Sequence, residues 1–232
     1  MGMSLALLRS SPLLRSLPPA ALRRVLRIAR WREFPAGTDV FSKADQASHL
    51  FIIGSGRVKI YSASACKKRK TFAYLGVGKF FGEMALLEGR ERSASAQAVE
   101  PTKLLLIHKR DFKRMLLNDP KLAVTLLHTL CDRLRRANEE IEGLMFRNVL
   151  GRVSKTLMTL AEQGGKSFRG GMLIGGRFTH QELADLVGTT REPLSRALAA
   201  LRRADLVEVR HGQLFLSNPR KMRELVGDGA AV

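Results

Sequence analysis

The chain has 232 residues, enough for one large domain or two ordinary ones. Its 40 Lys and Arg against 21 Asp and Glu give a formal net charge of +19, which points to a polyanionic partner, most often nucleic acid. A hydrophobic share of 45% excludes wholesale disorder, and two cysteines, Cys66 and Cys131, exclude a disulfide scaffold and four-cysteine zinc or iron–sulfur sites within one chain.

No apolar run reaches the ~18–20 residues of a membrane helix. The apolar patch between Met1 and Leu14 is followed by arginine and no small-residue cleavage site, so no signal peptide is read and a reducing cytoplasm is the expected compartment. The charge is spread along the chain: residues 1–147 carry 27 basic and 13 acidic side chains, residues 148–232 carry 13 and 8. Lys67-Lys68-Arg69-Lys70, the densest run, reads as a solvated hairpin tip or a phosphate contact.

Pro18-Pro19 opens a helical stretch with Leu22, Val25, Leu26 and Ala29 on one face. Short apolar or alternating runs follow at Leu50–Ile53, Val58–Tyr61, Thr71–Leu75, Ala94–Val99 and Lys103–His108, separated by glycine-rich breakers. Such spacing predicts a small sandwich or barrel-like roll. Within it lies Phe81-Gly82-Glu83-Met84-Ala85-Leu86-Leu87-Glu88-Gly89-Arg90-Glu91-Arg92-Ser93-Ala94. This string offers a glycine for close backbone approach, a carboxylate that can accept from a sugar hydroxyl, and backbone N–H groups at a small-residue turn. An Arg and a Ser that can hold a phosphate complete it.

Asn118-Asp119-Pro120 then supplies a helix cap with proline in the first turn. From there Ala123, Leu127, Leu130, Leu134, Ala137, Ile141 and Leu144 repeat by fours and threes, the seam of a left-handed coiled coil, with Arg133, Arg135, Arg136, Glu139, Glu140 and Glu142 beside it. This predicts a homodimer through the long helix.

From Asn148 onward the chain reads as helical and then as a β-hairpin, Leu206–Val209 with Leu214–Leu216. Between them, Thr179 to Val187 forms a short helix that turns at Gly188. Arg191 starts the next, with Thr190 as the expected N-cap and Pro193 in the first turn. That cap sets Arg191, Glu192, Ser195 and Arg196 on the leading turns, where a recognition helix presents its base-reading side chains. With the hairpin as a wing, this is a winged helix-turn-helix.

These three motifs, in this order from about Leu14 to Lys221, resemble the Crp/Fnr family of bacterial transcription regulators, of the cAMP receptor protein type. The resemblance implies an α+β fold: a cyclic-nucleotide-binding β-roll (jelly roll) over residues 1–117, a dimerisation helix over 118–147, and a winged helix-turn-helix DNA-binding domain over 148–232. It implies that Gly82 and Glu83 hold the ribose and that Arg92 and Ser93 bind the cyclic phosphate, with Met84, Ala85 and Ala94 supplying backbone. Arg133 falls where the family carries an Arg near the nucleotide. The Thr-Ser pair that reads adenine in cAMP receptors is here Ala137-Asn138. Asn138 still offers donors and an acceptor to a purine edge, whereas Ala137 offers neither.

The effector implied is a cyclic nucleotide, cAMP first and cGMP next. A cyclic dinucleotide or no small ligand are the alternatives, and the base stays open. No metal, haem or iron–sulfur cluster is expected, since no cysteine precedes Cys66 and His49, His108, His128, His180 and His211 are scattered. For double-stranded DNA, Arg191, Glu192 and Arg196 match the base readers of the subgroup that recognises TGTGA-like half-sites. Thr179, His180, Gln181 and Thr190 match its phosphate contacts, with His180 standing where Arg is familiar. RNA polymerase is a further implied partner, and no membrane association is expected. No P-loop, His-Glu-x-x-His or nucleophile elbow suggests an enzyme, and a regulatory subunit that only binds nucleotide would lack the base-reading helix. The expected switch is a ligand-driven change near Ala137–Phe146 that rotates the C-terminal domains about the Phe146–Asn148 junction.

Overall fold

The computed structural model describes residues 5–15, 17–64, 69–168, 170–210 and 212–227. Cys66, Lys67, Lys68 and His211 therefore lie outside the described residues. The chain divides into two compact units, Met1–Arg133 and Leu134–Val232.

The first unit opens with helices α1 (Leu5–Ser10) and α2 (Pro19–Ile28). Proline at N1 loses no helical hydrogen bond, and the predicted face of α2 buries Leu22 and Val25. Strands β1 (Arg30–Phe34), β2 (Asp39–Phe41), β3 (His49–Ser55), β4 (Val58–Ala63), β5 (Arg69–Leu75) and β6 (Phe80–Phe81) follow. Then come helix α3 (Glu83–Glu88), β7 (Ser95–Ala98), β8 (Thr102–His108), α4 (Lys109–Asn118) and the long helix α5 (Pro120–Phe146). Asp119 Oδ1 accepts from the backbone N–H groups of Lys121 and Leu122 at 3.0 and 3.2 Å, which is the cap expected ahead of Pro120.

The strands form two antiparallel sheets, ordered β1-β8-β3-β6 and β2-β7-β4-β5. Strand β3 is buried on both faces, which is why it reads as an unbroken apolar run. Phe51 and Ile53 point between the sheets with Phe34, Val58, Phe81, Ala96, Ala98 and Leu104. Leu50 and Ile52 point the other way, into a second core with Leu105, Ile107, Phe112, Leu122 and Leu126. Leu8, Leu13 and Leu14 complete that second core and are fully buried. This is the roll expected for residues before the long helix, with α1, α3, α4, β1, β2 and β6 added to it.

The second unit carries α6 (Val149–Gly164), β9 (Lys166–Phe168), β10 (Gly171–Leu173), α7 (His180–Val187), α8 (Arg191–Arg203), β11 (Val207–Arg210), β12 (Gln213–Leu216) and α9 (Pro219–Gly227). The predicted two-stranded wing is part of a four-stranded sheet ordered β11-β12-β10-β9. The glycine-bounded segment after α6 supplies the extra hairpin, and Met172 and Leu173 pair with Leu216 and Phe215. One core joins Val153, Leu157, Leu183, Ala184, Leu194, Leu198, Val207 and Leu216. Ala184 is fully buried where α7 and α8 cross, and Gly188 ends α7 with φ 76°, a conformation that favours glycine.

Candidate functional site

In the first unit the cassette folds around two buried charges. Strand β6 runs into Gly82, which takes φ 81° and hands the chain to α3. A Cβ at Gly82 would sit 2.7 Å from Nη1 of Arg92, so both the backbone angle and the neighbouring guanidinium require glycine there. The expected small-residue turn is thus a short helix, which lines up N–H groups at Glu83, Met84 and Ala85.

Glu83 is 1% exposed. Its Oε1 accepts from Arg133 Nη1 at 2.5 Å, while its buried Oε2 has no hydrogen-bond partner among the described residues. Arg133 also donates from Nη2 to the Phe80 carbonyl at 2.8 Å, which fixes the guanidinium against the cassette. Burial raises the Glu83 carboxyl above its ordinary pKa, and the Arg133 cation pulls partly against that shift.

Arg92 is 5% exposed. Its Nη1 donates to the Gly82 carbonyl at 2.6 Å and its Nη2 to the His49 carbonyl at 2.8 Å, while the buried Nε lacks a partner. Burial lowers the Arg92 pKa, opposed by the charges of Glu83 and Asp45. Met84 and Ser93 are exposed, Ala94 is half-buried and Ala85 is buried. An unpartnered carboxylate oxygen and an unpartnered guanidinium N–H edge, both held out of water, are what a sugar hydroxyl and an anionic phosphate each need. The residues therefore fit a ribose phosphate. Ala137 and Asn138 lie on an exposed stretch of α5 that belongs to the second unit.

In the second unit Thr179 caps α7 through a complete capping box. Its Oγ1 accepts from the Glu182 N–H at 3.2 Å, and Glu182 Oε2 accepts from the Thr179 N–H at 2.7 Å. Gln181 is committed to Asp185, donating from Nε2 at 2.8 Å. Thr190 stands at the N-cap of α8 as predicted, but its side chain makes no capping hydrogen bond. The exposed hydroxyl is left outside the helix.

Arg191, Glu192 and Arg196 are exposed on the first turns of α8. Arg196 Nη1 donates to Glu192 Oε1 at 3.1 Å. His180 Nδ1 and Ser195 Oγ lie 3.0 Å apart, tying the start of α7 to the recognition helix. Thr179, His180, Gln181 and Arg191 line a shallow depression of about 500 Å³. The structure thus brings together the predicted phosphate-contacting residues of α7 with Arg191. Sequence reasoning missed Phe41, whose ring lies against Arg92, and the backbone of His49; neither belongs to a motif.

Among the described residues no helix is long and apolar enough to cross a membrane, and no group of three or more His, Cys, Asp or Glu could hold a metal. Residues 31–119 match the model of the cyclic nucleotide-binding domain, and residues 151–225 match the Crp-like helix-turn-helix domain. The chain is 34% identical over 220 residues to a Thermus thermophilus protein named cyclic AMP receptor protein, covering 94% of this chain and 98% of that one. It is 30% identical to the cAMP-activated global transcriptional regulator CRP of Haemophilus influenzae, across 79% of this chain and 82% of the relative. Among solved structures, the c-di-GMP responsive global regulator CLP of Xanthomonas campestris superposes with a TM-score of 0.75 at 27% identity, covering 86% of this chain and 99% of that one. A nucleotide-binding roll followed by a Crp-like helix-turn-helix, matched end to end by transcription regulators rather than enzymes, makes this chain a member of the CRP family of cyclic nucleotide-binding transcription regulators.

Proposed function

We propose that this regulator acts in the cytoplasm as a homodimer that answers to cAMP. Residues 1–117 take the nucleotide, 118–147 join the two copies and 148–232 read DNA. Glu83 accepts from the ribose 2′-hydroxyl beside Gly82. Arg92 and Ser93 hold the cyclic phosphate together with the backbone of Met84, Ala85 and Ala94. Arg133 holds Glu83 in place beside the nucleotide, and Asn138 meets the purine edge. The observation that carries this reading is the pair of unpartnered buried atoms, Glu83 Oε2 and Arg92 Nε, in one cassette. Each is costly to leave unpaired, so a ligand that satisfies both gains affinity from groups already desolvated.

A second copy of the chain fits the long helix. Leu127, Leu134, Ile141 and Leu144 are 59, 63, 56 and 52% exposed along the predicted seam, an apolar stripe that a lone protomer leaves in water. Leu130 departs from that stripe, packing partly against its own unit. Two-fold symmetry then sets paired recognition helices on a palindromic, TGTGA-like site, one DNA turn or ~34 Å apart. Arg191, Glu192 and Arg196 read bases, with Ser195 beside them on the leading turns of the recognition helix, while Thr179, His180, Gln181 and Thr190 meet the backbone. Nucleotide favours DNA binding by binding the DNA-competent dimer more tightly, through a change near Ala137–Phe146 and the Phe146–Asn148 junction. DNA must tighten nucleotide binding by the same factor. RNA polymerase is the partner through which the bound dimer acts.

Calorimetric titration of the full chain with cAMP, cGMP and cyclic di-GMP, alone and with a palindromic operator, tests this reading. Tightest binding by cAMP, strengthened by operator, is expected. The main competitor is cyclic di-GMP, raised by the similarity to a c-di-GMP responsive regulator, while Ala137-Asn138 in place of Thr-Ser leaves the base open. Tighter binding of the dinucleotide overturns cAMP as effector while keeping the fold of the mechanism.

A further inference from the structure

Arg92 is a buried cation whose fork is satisfied by two carbonyl oxygens rather than by a carboxylate. Backbone carbonyls alone leave the two faces of the guanidinium plane to be covered. One is covered by aromatic carbon: the guanidinium carbon lies 4.2 Å from the centroid of Phe41 and 5.6 Å from that of Phe51. Phe41 in turn packs on Phe51 and Phe81 at 5.6 and 5.9 Å, and Phe51 stacks on Phe81 at 5.2 Å. The ring electrons attract a cation most strongly where water is excluded, as it is here.

How Phe41 gets there is unusual. Strand β2 pairs with β7 through Asp39 opposite Gln97 and Phe41 opposite Ala96, so one extra residue sits on β2. Without that bulge Val40 would stand opposite Ala96, and every side chain beyond it would change face. Ala96 is fully buried between the sheets, and the bulge brings Phe41 to the same face. The turn that follows grips the backbone of the same arginine: the Ala44 N–H donates to the Arg92 carbonyl and the Arg92 N–H to the Asp45 carbonyl, each at 2.9 Å. Ala44 holds φ 71° to make this turn, and Ser42 N–H donates to Asp45 Oδ2 at 2.7 Å within it.

We infer that Phe41 is a positioning residue for nucleotide binding: the bulged segment Phe41–Asp45 is the seat that holds Arg92 with its Nε edge free for the phosphate. The inference rests on Arg92 being the phosphate reader. It assigns a role to a residue outside the cassette, set by ring electrons rather than by hydrophobic volume.

Two measurements on the full chain test it. The first uses no ligand: F41L, R92M and the double variant are unfolded in urea, followed by fluorescence of Trp31, the chain's single Trp, which lies in the first unit. The unfolding constants should be coupled by roughly three- to thirtyfold, and additive effects overturn the inference. The second titrates cAMP into wild type, F41L, F41Y and R92M. F41L should bind roughly tenfold more weakly and F41Y within about threefold of wild type. Equal binding by F41L, or no recovery in F41Y, overturns the positioning role. If R92M binds as wild type does, the phosphate reading of Arg92 fails and the positioning role in binding falls with it. If wild type binds no cAMP, the effector reading fails and the urea cycle alone decides whether Phe41 holds Arg92.

Discussion

The two units handle charge in opposite ways. In the nucleotide-binding unit Glu83 and Arg92 are 1 and 5% exposed; Arg92 is bonded to backbone carbonyls, which cannot leave, and Glu83 to Arg133, itself tied to the Phe80 carbonyl. In the DNA-binding unit the side chains of Arg196 and Glu192 are 72 and 80% exposed and bonded to each other, a pairing that solvent screens and thermal motion breaks. The first arrangement prepays the desolvation and ordering of its charged groups during folding, so a small ligand need supply little of either. The second stays solvated, which suits a surface that must slide over many DNA sequences before committing to one. One chain thus combines a rigid receptor for a small molecule with an adaptable reader for a polymer.

Breaking the rigid side should cost most. R92A is expected to weaken cAMP binding roughly a hundredfold or more, as removal of one member of a buried hydrogen-bonded charge set does, while size-exclusion chromatography still returns the dimer. G82A should destabilise the first unit by ~1–3 kcal/mol in urea, because its Cβ meets Arg92 and its φ is left-handed. G89A, with a similar φ of 76° but open space around it, should cost only ~1 kcal/mol. Equal costs would mean that the guanidinium yields, and the site would be less rigid than its burial implies.

On the adaptable side R191A should lose ~1–3 kcal/mol of discrimination at one base pair, read from binding to a set of operators each changed at a single position. A uniform loss over all of them would make Arg191 a phosphate contact. The acid response of the first unit separates the two regions more finely. The Glu83 pKa is raised in the folded state, so folding favours its protonated form. Relative to E83Q, wild type should gain stability as pH falls through the raised folded value and level off below 4.5. A difference that shrinks with acidification would place Arg133, not burial, in control of the carboxyl. Smallest of all, E192Q should change stability by ~0.5 kcal/mol or less in urea, as exposed ion pairs do.

What could be read in the sequence follows the physical range of each interaction. The strands of the roll, the helix capped before Pro120 and the turn at Gly188 are specified by residues within a few positions of themselves, and each lies where its local pattern places it. The predicted wing hairpin forms, but the two strands added to it were not legible, for a different reason. Strand β10 has three residues and no signal of its own, and it exists because Leu216 and Phe215 offer it an edge. Leu130 fits the seam by spacing, yet in the fold it shares its helix with Leu122 and Leu126, which turn toward the roll and draw it along. At the site, Gly82, Glu83 and Arg92 were legible because they sit within one string. Phe41 was not, because a bulge decides which face it takes, and a bulge is a property of two strands rather than of one.

The buried leucines at the start of the chain have a consequence for how the protein is made. Leu8, Leu13 and Leu14 share a core with Leu122 and Leu126, residues separated from them by more than a hundred positions. During synthesis that core stays open until the beginning of α5 has left the ribosome, and Glu83 waits longer still for Arg133. The receptor is therefore finished only when about half of the long helix exists. A ribosome stalled within residues 1–117 would hold a roll whose first leucines are still looking for their partners, a species that chaperones would recognise and that a cyclic nucleotide would not.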